Sequence, residues 1–78
     1  MYVYIGESIM LLAADIVAIM AKGRIDLSSD QAARSVHASS VALLESGGYK
    51  SVVVTENTLY LSPFSSSTLK KRIDDHYF

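Results

Sequence analysis

The side chains best placed to do chemistry lie near the end of the chain, where Ser65-Ser66-Ser67-Thr68 leads through Leu69 into Lys70-Lys71-Arg72. If this run opens a helix, Ser62 to Thr68 offers a cradle for phosphate, because hydroxyls and the free amides of a first helical turn together make an anion site. At about 100° per residue, Leu69 and Ile73 define the inward face of that helix and Tyr77 extends it. Lys71 then points away from the core, with Lys70 and Arg72 flanking it on opposite sides. Only a broad anionic partner, such as a phosphate backbone, meets all three at once. The competing readings are plainer: the serines are ordinary caps, and the triplet is a solvated face partly neutralised by Asp74 and Asp75, four residues after Lys70 and Lys71. Lysine ahead of the acid is the weaker order for such pairs. Cations in the first turns also oppose the helix dipole by roughly 0.3–1 kcal/mol each. A local rule broken without visible compensation points to function.

No other set of residues builds a reactive site. Cysteine is absent, which removes disulfides and thiolate metal ligands together. His37 and His76 have no carboxylate or second histidine at ligand spacing, and no serine arranged by a nucleophile motif. Asp74 and Asp75 are neighbours on a helix and do not face each other. Gly47-Gly48-Tyr49-Lys50 lacks both the Gly-x-x-x-x-Gly-Lys spacing and the following helix of a phosphate loop. The expectation is a protein that is not an enzyme, with no catalytic residue, metal, cofactor or small-molecule substrate.

Positioning the basic triplet falls to a few short elements. Met1 to Ile5 alternates Val3 and Ile5 with Tyr2 and Tyr4, a strand pattern whose tyrosines suit a subunit interface or a solvent rim. Gly6-Glu7 reads as a two-residue turn with glycine at positive φ. Ser8 to Leu12 is a second strand, Ala13-Ala14-Asp15 a break and Ile16 to Met20 a third strand. Leu11, Leu12, Asp15, Ile16, Ile19 and Met20 also fit a helical stripe, but Gly6, Gly23 and the central Ile-Val favour strands. Gly23 to Leu27 is a connection. Ser28, Ser29 and Asp30 are candidate N-caps for a helix from about Asp30 to Ala38, with Ala32, Ala33 and Val36 as a thin apolar face. Val41 to Leu44 either prolongs it or begins an extended stretch, and Gly47-Gly48 ends whatever precedes it.

Ser51 to Thr55 is the plainest strand in the chain. Glu56-Asn57 makes its turn, Asn57 being tolerant of left-handed backbone, and Thr58 to Ser62 returns. Val52, Val54, Leu59 and Leu61 supply one face of this hairpin, Val53 and Tyr60 the other. Both faces are apolar, so both should be covered, which puts the hairpin at the centre of the sheet with Val52 and Val54 largely buried. A final helix follows Pro63, capped by Ser65, Ser66 or Ser67. The sum is an α+β fold in one domain, residues 1–78: a small, mainly antiparallel sheet of about five strands with two helices.

A 78-residue chain without disulfides is marginal as a monomer, and half of its residues are apolar. Self-association is the remaining device, so a homo-oligomer is expected. Seven basic residues against eight acidic ones give a formal charge of −1, which by itself argues against a nucleic-acid partner. Distribution matters more than the sum, because Lys70, Lys71 and Arg72 are contiguous while the acids before them are scattered. The most apolar window, Ile9 to Ala21, is too short to span a bilayer and contains Asp15. With no basic n-region or cleavage pattern at the N-terminus, a cytoplasmic protein without a membrane partner is expected.

Two stretches together, YVYIGES…LLAADIVAIMAK and KSVVVTENTLYLSPFSSSTLKKR, resemble the extracellular matrix regulator family, RemA and RemB, and more closely the RemB branch. The resemblance fades between about Gly23 and Gly48. It implies a small cytoplasmic transcriptional regulator that assembles into rings and binds double-stranded DNA upstream of biofilm-matrix genes. The RemA branch carries adjacent arginines where this chain has Gly47 and Gly48, and another where it has Asp15; RemB-like sequences share that departure. The DNA contacts expected here are therefore Lys50, Lys70, Lys71 and Arg72, the basic residues of the best-matching segment, with Lys22 and Arg24 as second choices. The rival reading is an oligomeric protein-interaction module or scaffold that does not touch DNA.

Overall fold

A computed structural model describes residues 1–6, 9–27 and 34–76, the last two in backbone only. Its elements follow in the order β1 (Tyr2–Tyr4), β2 (Met10–Leu12), β3 (Ile16–Ala21), α1 (Val41–Ser46), β4 (Ser51–Thr55), β5 (Leu59–Ser62) and α2 (Ser66–His76). Short 3₁₀ turns occupy Ala13–Asp15 and Ala38–Ser40. The fold is α+β, with its strands divided between two antiparallel sheets, the ribbon β1–β2 and the three-stranded sheet β3–β4–β5.

The hairpin β4–β5 pairs Val52 with Leu61, Val53 with Tyr60 and Val54 with Leu59. Alternation along a strand sends neighbouring side chains to opposite faces, and here each face has its own cover. Val52, Leu59 and Leu61 pack with Leu27 and Val36, against which Ile25, Leu43, Leu44 and Tyr49 are laid. Val53 packs on the other face with Ile5 and Leu69, and with Ile9, Leu11, Ile16, Ile19, Tyr60 and Phe64 around them. The ribbon and α2 thus cover one face, while α1 and the connection after β3 cover the other. Val52 and Val53 are both fully buried, although Val54, next to the turn, is only half so.

In β3 the ladder slips between Ile16 and Ala18, which oppose Thr55 and Val54 in turn. Val17 is the extra residue of this β-bulge and is 70% exposed. Beyond it Ile19 opposes Val53. The bulge therefore brings Ile16 and Ile19, three residues apart, to the same face, where a regular strand would separate them. That accounts for the Ile16–Ile19 spacing within the helical stripe read in this window.

Three serines are fully buried, and each joins separate pieces of backbone. Ser51 Oγ donates to Phe64 O at 2.7 Å. Ser62 Oγ donates to Ile5 O and accepts from Phe64 N. Ser40 Oγ accepts from Leu61 N at 2.9 Å, on the outer edge of β5. The same edge is closed further along by Leu59 N to Ser35 O and His37 N to Leu59 O, both 2.8 Å.

Those last bonds correct the expected helix from Asp30 to Ala38. Its first residues and its candidate caps Ser28, Ser29 and Asp30 lie outside the described residues. Its end does not form, because Val36 bridges Leu59 in parallel and His37 is extended. The expected turn at Gly6-Glu7 is also revised. Tyr4 pairs with Met10, so five residues connect the strands, and Ile5 N bonds Ile9 O at 3.0 Å. The second strand accordingly starts at Met10, and Gly6 is not among the residues with positive φ. Neither is Asn57: the β4–β5 turn is closed by Thr55, whose N and Oγ1 both donate to Thr58 O, without left-handed backbone. Gly47 does behave as its position suggests, ending α1 at φ 72° with its amide on Leu43 O.

Replacing Ser40 by alanine leaves the buried Leu61 amide without a partner and should cost about 1–3 kcal/mol in urea unfolding. Glu45→Ala, at an exposed site on α1, should stay within about 0.5 kcal/mol.

Candidate nucleic-acid interface

Sheet register decides which cations meet. Ala21, Ser51 and Ser62 lie side by side at one end of β3–β4–β5. The turn at Lys22 to Arg24 leaves that end, Lys50 enters it, and α2 starts four residues after β5 leaves it. Backbone bonds from Lys22 N to Lys50 O (2.9 Å) and from Lys50 N to Ser62 O (2.8 Å) hold the three segments together. Cations far apart in sequence are in this way gathered at one end of the molecule.

Their side chains are not equivalent. Lys50, Lys70 and Lys71 are exposed, and no carboxylate pairs with them among the described residues. Arg24, also exposed, shares with Lys70 and Ser66 a shallow depression of about 340 Å³ beside the end of β3. Lys22 is engaged: its Nζ donates to Gly47 O at 2.7 Å and lies 4.6 Å from the centre of the Tyr49 ring. A cation on the last carbonyls of a helix also suits the dipole of α1.

Arg72 departs from the expectation that the triplet acts as a unit. Its guanidinium lies 4.4 Å from the centre of the Phe64 ring, and Nη1 donates to Tyr4 O at 3.1 Å. The residue is half-buried and clamps α2 to β1. Leu69, fully buried, and Ile73, half-buried, take the inward face as expected, and Lys71 is exposed on the outside. Tyr77 lies outside the described residues, and the side chains of Asp75 and His76 are not described.

The hydroxyls resolve into caps and brackets. Ser65 Oγ accepts from Thr68 N at 3.2 Å and donates to Thr68 Oγ1 at 2.9 Å, an N-cap for α2. Ser62 is buried and turned to Ile5 and Phe64, so the cradle read across Ser62 to Thr68 does not form as one surface. One Ser–His contact does appear, His37 Nδ1 to Ser39 Oγ at 2.8 Å. Ser39 N also donates to Nδ1, at 3.1 Å, and the ring stacks on Tyr60. The imidazole therefore caps the 3₁₀ turn that follows it.

Two acids sit at the far end of the sheet. Asp15 immediately precedes β3, Glu56 lies in the β4–β5 turn, and both line a cavity of about 440 Å³ with Val17 and Tyr60. The separation of charge is partial: Asp26 lines a depression with Lys22 and Tyr49 at the basic end, and Arg34 immediately precedes Ser35, which lies beside Glu56 at the other. Among the described residues, no group of three or more His, Asp or Glu could hold a metal, and no helix is long and apolar enough to cross a membrane. The chain matches no protein-family model, no curated protein and no solved structure.

The Arg72 clamp has a measurable consequence. Arg72→Gln removes the stacking on Phe64 and the bond to the Tyr4 carbonyl, and should destabilise the fold by about 1–2 kcal/mol in denaturant unfolding. Lys71→Gln, one position away and exposed, should change stability by less than about 0.5 kcal/mol.

Proposed function

We propose that the protein is a small, oligomeric DNA-binding regulator that grips phosphates through Lys50, Lys70 and Lys71. The observation that carries this reading is the gathering of exposed cations, without carboxylate partners among the described residues, at one end of the sheet. Lysines of this kind neutralise phosphates and release counterions without reading bases, so they supply affinity and not sequence choice. One protomer offers few such lysines. A ring-like assembly repeats them, and avidity then rises without new chemistry. Self-association is supported by exposed apolar side chains: Tyr2, Tyr4 and Met10 together on one face of the ribbon, and Val17 on β3. The resemblance to extracellular matrix regulators supports a cytoplasmic role at biofilm-matrix genes. Arg72, which the same resemblance would include, is left out because it serves the fold.

The ribbon face favours a second reading, in which Tyr2, Tyr4 and Met10 bind another protein and DNA is not contacted. A salt series separates the two. Under the first, retention of duplex DNA weakens steeply with salt, and the triple variant Lys50→Gln, Lys70→Gln, Lys71→Gln flattens the slope by roughly 0.9 for each phosphate that is no longer neutralised. The weakening should be alike for all sequences, and light scattering should show an unchanged mass. Adding Arg72→Gln should leave the slope where the triple variant put it. No retention at low salt would hand the case to the interaction module.

A further inference from the structure

We propose that the outer edge of β3 pairs antiparallel with the same edge of a second copy, joining two three-stranded sheets into one of six strands. This rests on the oligomeric reading above and names one two-fold contact within it; a ring would need a second, heterologous interface besides.

The two edges of the sheet are treated differently. On β5 the outer edge is closed by Ser35, His37 and the Ser40 hydroxyl. On β3 no backbone partner other than β4 occurs among the described residues. An open edge presents unpaired N–H and C=O groups and is a template for another strand. Soluble proteins blunt such edges with lysine, proline or a bulge. Ile16–Ala21 reads IVAIMA, without a charge or a proline. Its one irregularity is the bulge at Val17, which leaves Ala18 to Ala21 in regular pairing with Val54 to Ser51.

Charge at the ends of the edge selects the occupant and its direction. Asp15 precedes the strand, in the cavity that also holds Glu56, and Arg24 follows it, in the depression that also holds Lys70. A two-fold axis near Ile19 lays each Asp15 against the turn Lys22 to Arg24 of the other copy, so opposite charges meet twice. Parallel pairing would set acid on acid and base on base. Arg24 is the natural partner for Asp15, since the Lys22 ammonium is already held by Gly47 O and Tyr49. Such an interface is isologous: each copy uses its β3 edge once, and the pair closes.

Sedimentation velocity and light scattering on the full chain test this, with far-UV circular dichroism to confirm folding. The unmodified protein should exceed the monomer mass. Val17→Lys places a charge on the exposed edge and should raise the dissociation constant by about tenfold or more. Asp15→Arg should weaken assembly similarly, and the double swap Asp15→Arg, Arg24→Glu should return it to within about threefold of the original, because complementary charges restore register. If Val17→Lys fails to fold, the charge swap decides alone: weakening and rescue support the pairing, and unchanged assembly overturns it. Folded variants that assemble like the original overturn the β3 interface while leaving the oligomeric reading intact. A monomeric unmodified protein overturns both.

Discussion

Everything in this small molecule is arranged around a central strand that must be dry on both faces. Val52 and Val53 are consecutive, point in opposite directions and are both fully buried. Covering one face of the sheet would be the normal demand on a chain of this size. Two faces require two thin cores, and the chain supplies them from different regions. Residues around Leu27 and Val36, with α1, close one side; the N-terminal ribbon and α2 close the other. Neither cover is large, so each is tied down by polar contacts as well as by apolar area. Ser62 reaches Ile5 and Phe64, Ser51 reaches Phe64, and Arg72 reaches Tyr4. These bonds lie where backbone segments meet closely and a larger apolar side chain would force them apart.

The same constraint explains why Arg72 serves the structure. Its periodicity on α2 puts it at the boundary between the buried and the exposed face, where a long amphipathic side chain can lay its stem on the protein and send its head to a carbonyl. Lysine is a poor substitute, lacking the flat guanidinium that stacks on Phe64. Contiguity in sequence therefore hides two roles: Lys70 and Lys71 face solvent, and Arg72 belongs to the packing.

The hairpin β4–β5 is legible in the sequence because its signal is local. A run of β-branched residues, a polar turn and a return strand specify each other within a dozen positions, and both covered faces follow from the apolar residues on each. The break at Ala13 to Asp15 and the end of α1 at Gly47 are legible for similar reasons. The bulge in β3 is not, since a one-residue slip turns strand spacing into something that imitates a helix, and only the pairing with β4 reveals it. Val36 and His37 read as helix from the sequence because their tie to Leu59 is non-local. Of the candidate site, the exposure of Lys70 and Lys71 can be read from helical periodicity. The nearness of Arg24 to Lys70, and the capture of Arg72 by Phe64 and Tyr4, depend on register and on the meeting of distant segments.

A net charge of −1 argues against DNA only if every cation is neutralised, and Lys50, Lys70 and Lys71 stand exposed without carboxylate partners among the described residues. Coulomb interactions between exposed groups fade over about 10 Å at ordinary salt, so a phosphate near Lys70 responds to its own end of the molecule more than to Asp15 and Glu56 at the other. Asp15 and Arg24, at the two ends of β3, also constrain how copies can meet along that edge. Stacking like ends would concentrate cations but set them against one another. Antiparallel pairing through the neutral β3 edge instead puts the two basic ends at opposite limits of a continuous sheet, each beside an acid of the other copy. In the proposed pair Lys50, Lys70 and Lys71 of the two copies are spaced apart, an arrangement that would suit a long polyanion and gain little for a small one. Assembly and DNA binding, as proposed, then draw on different side chains except around Lys70, which shares with Arg24 the depression beside Ile19, Met20 and Ala21.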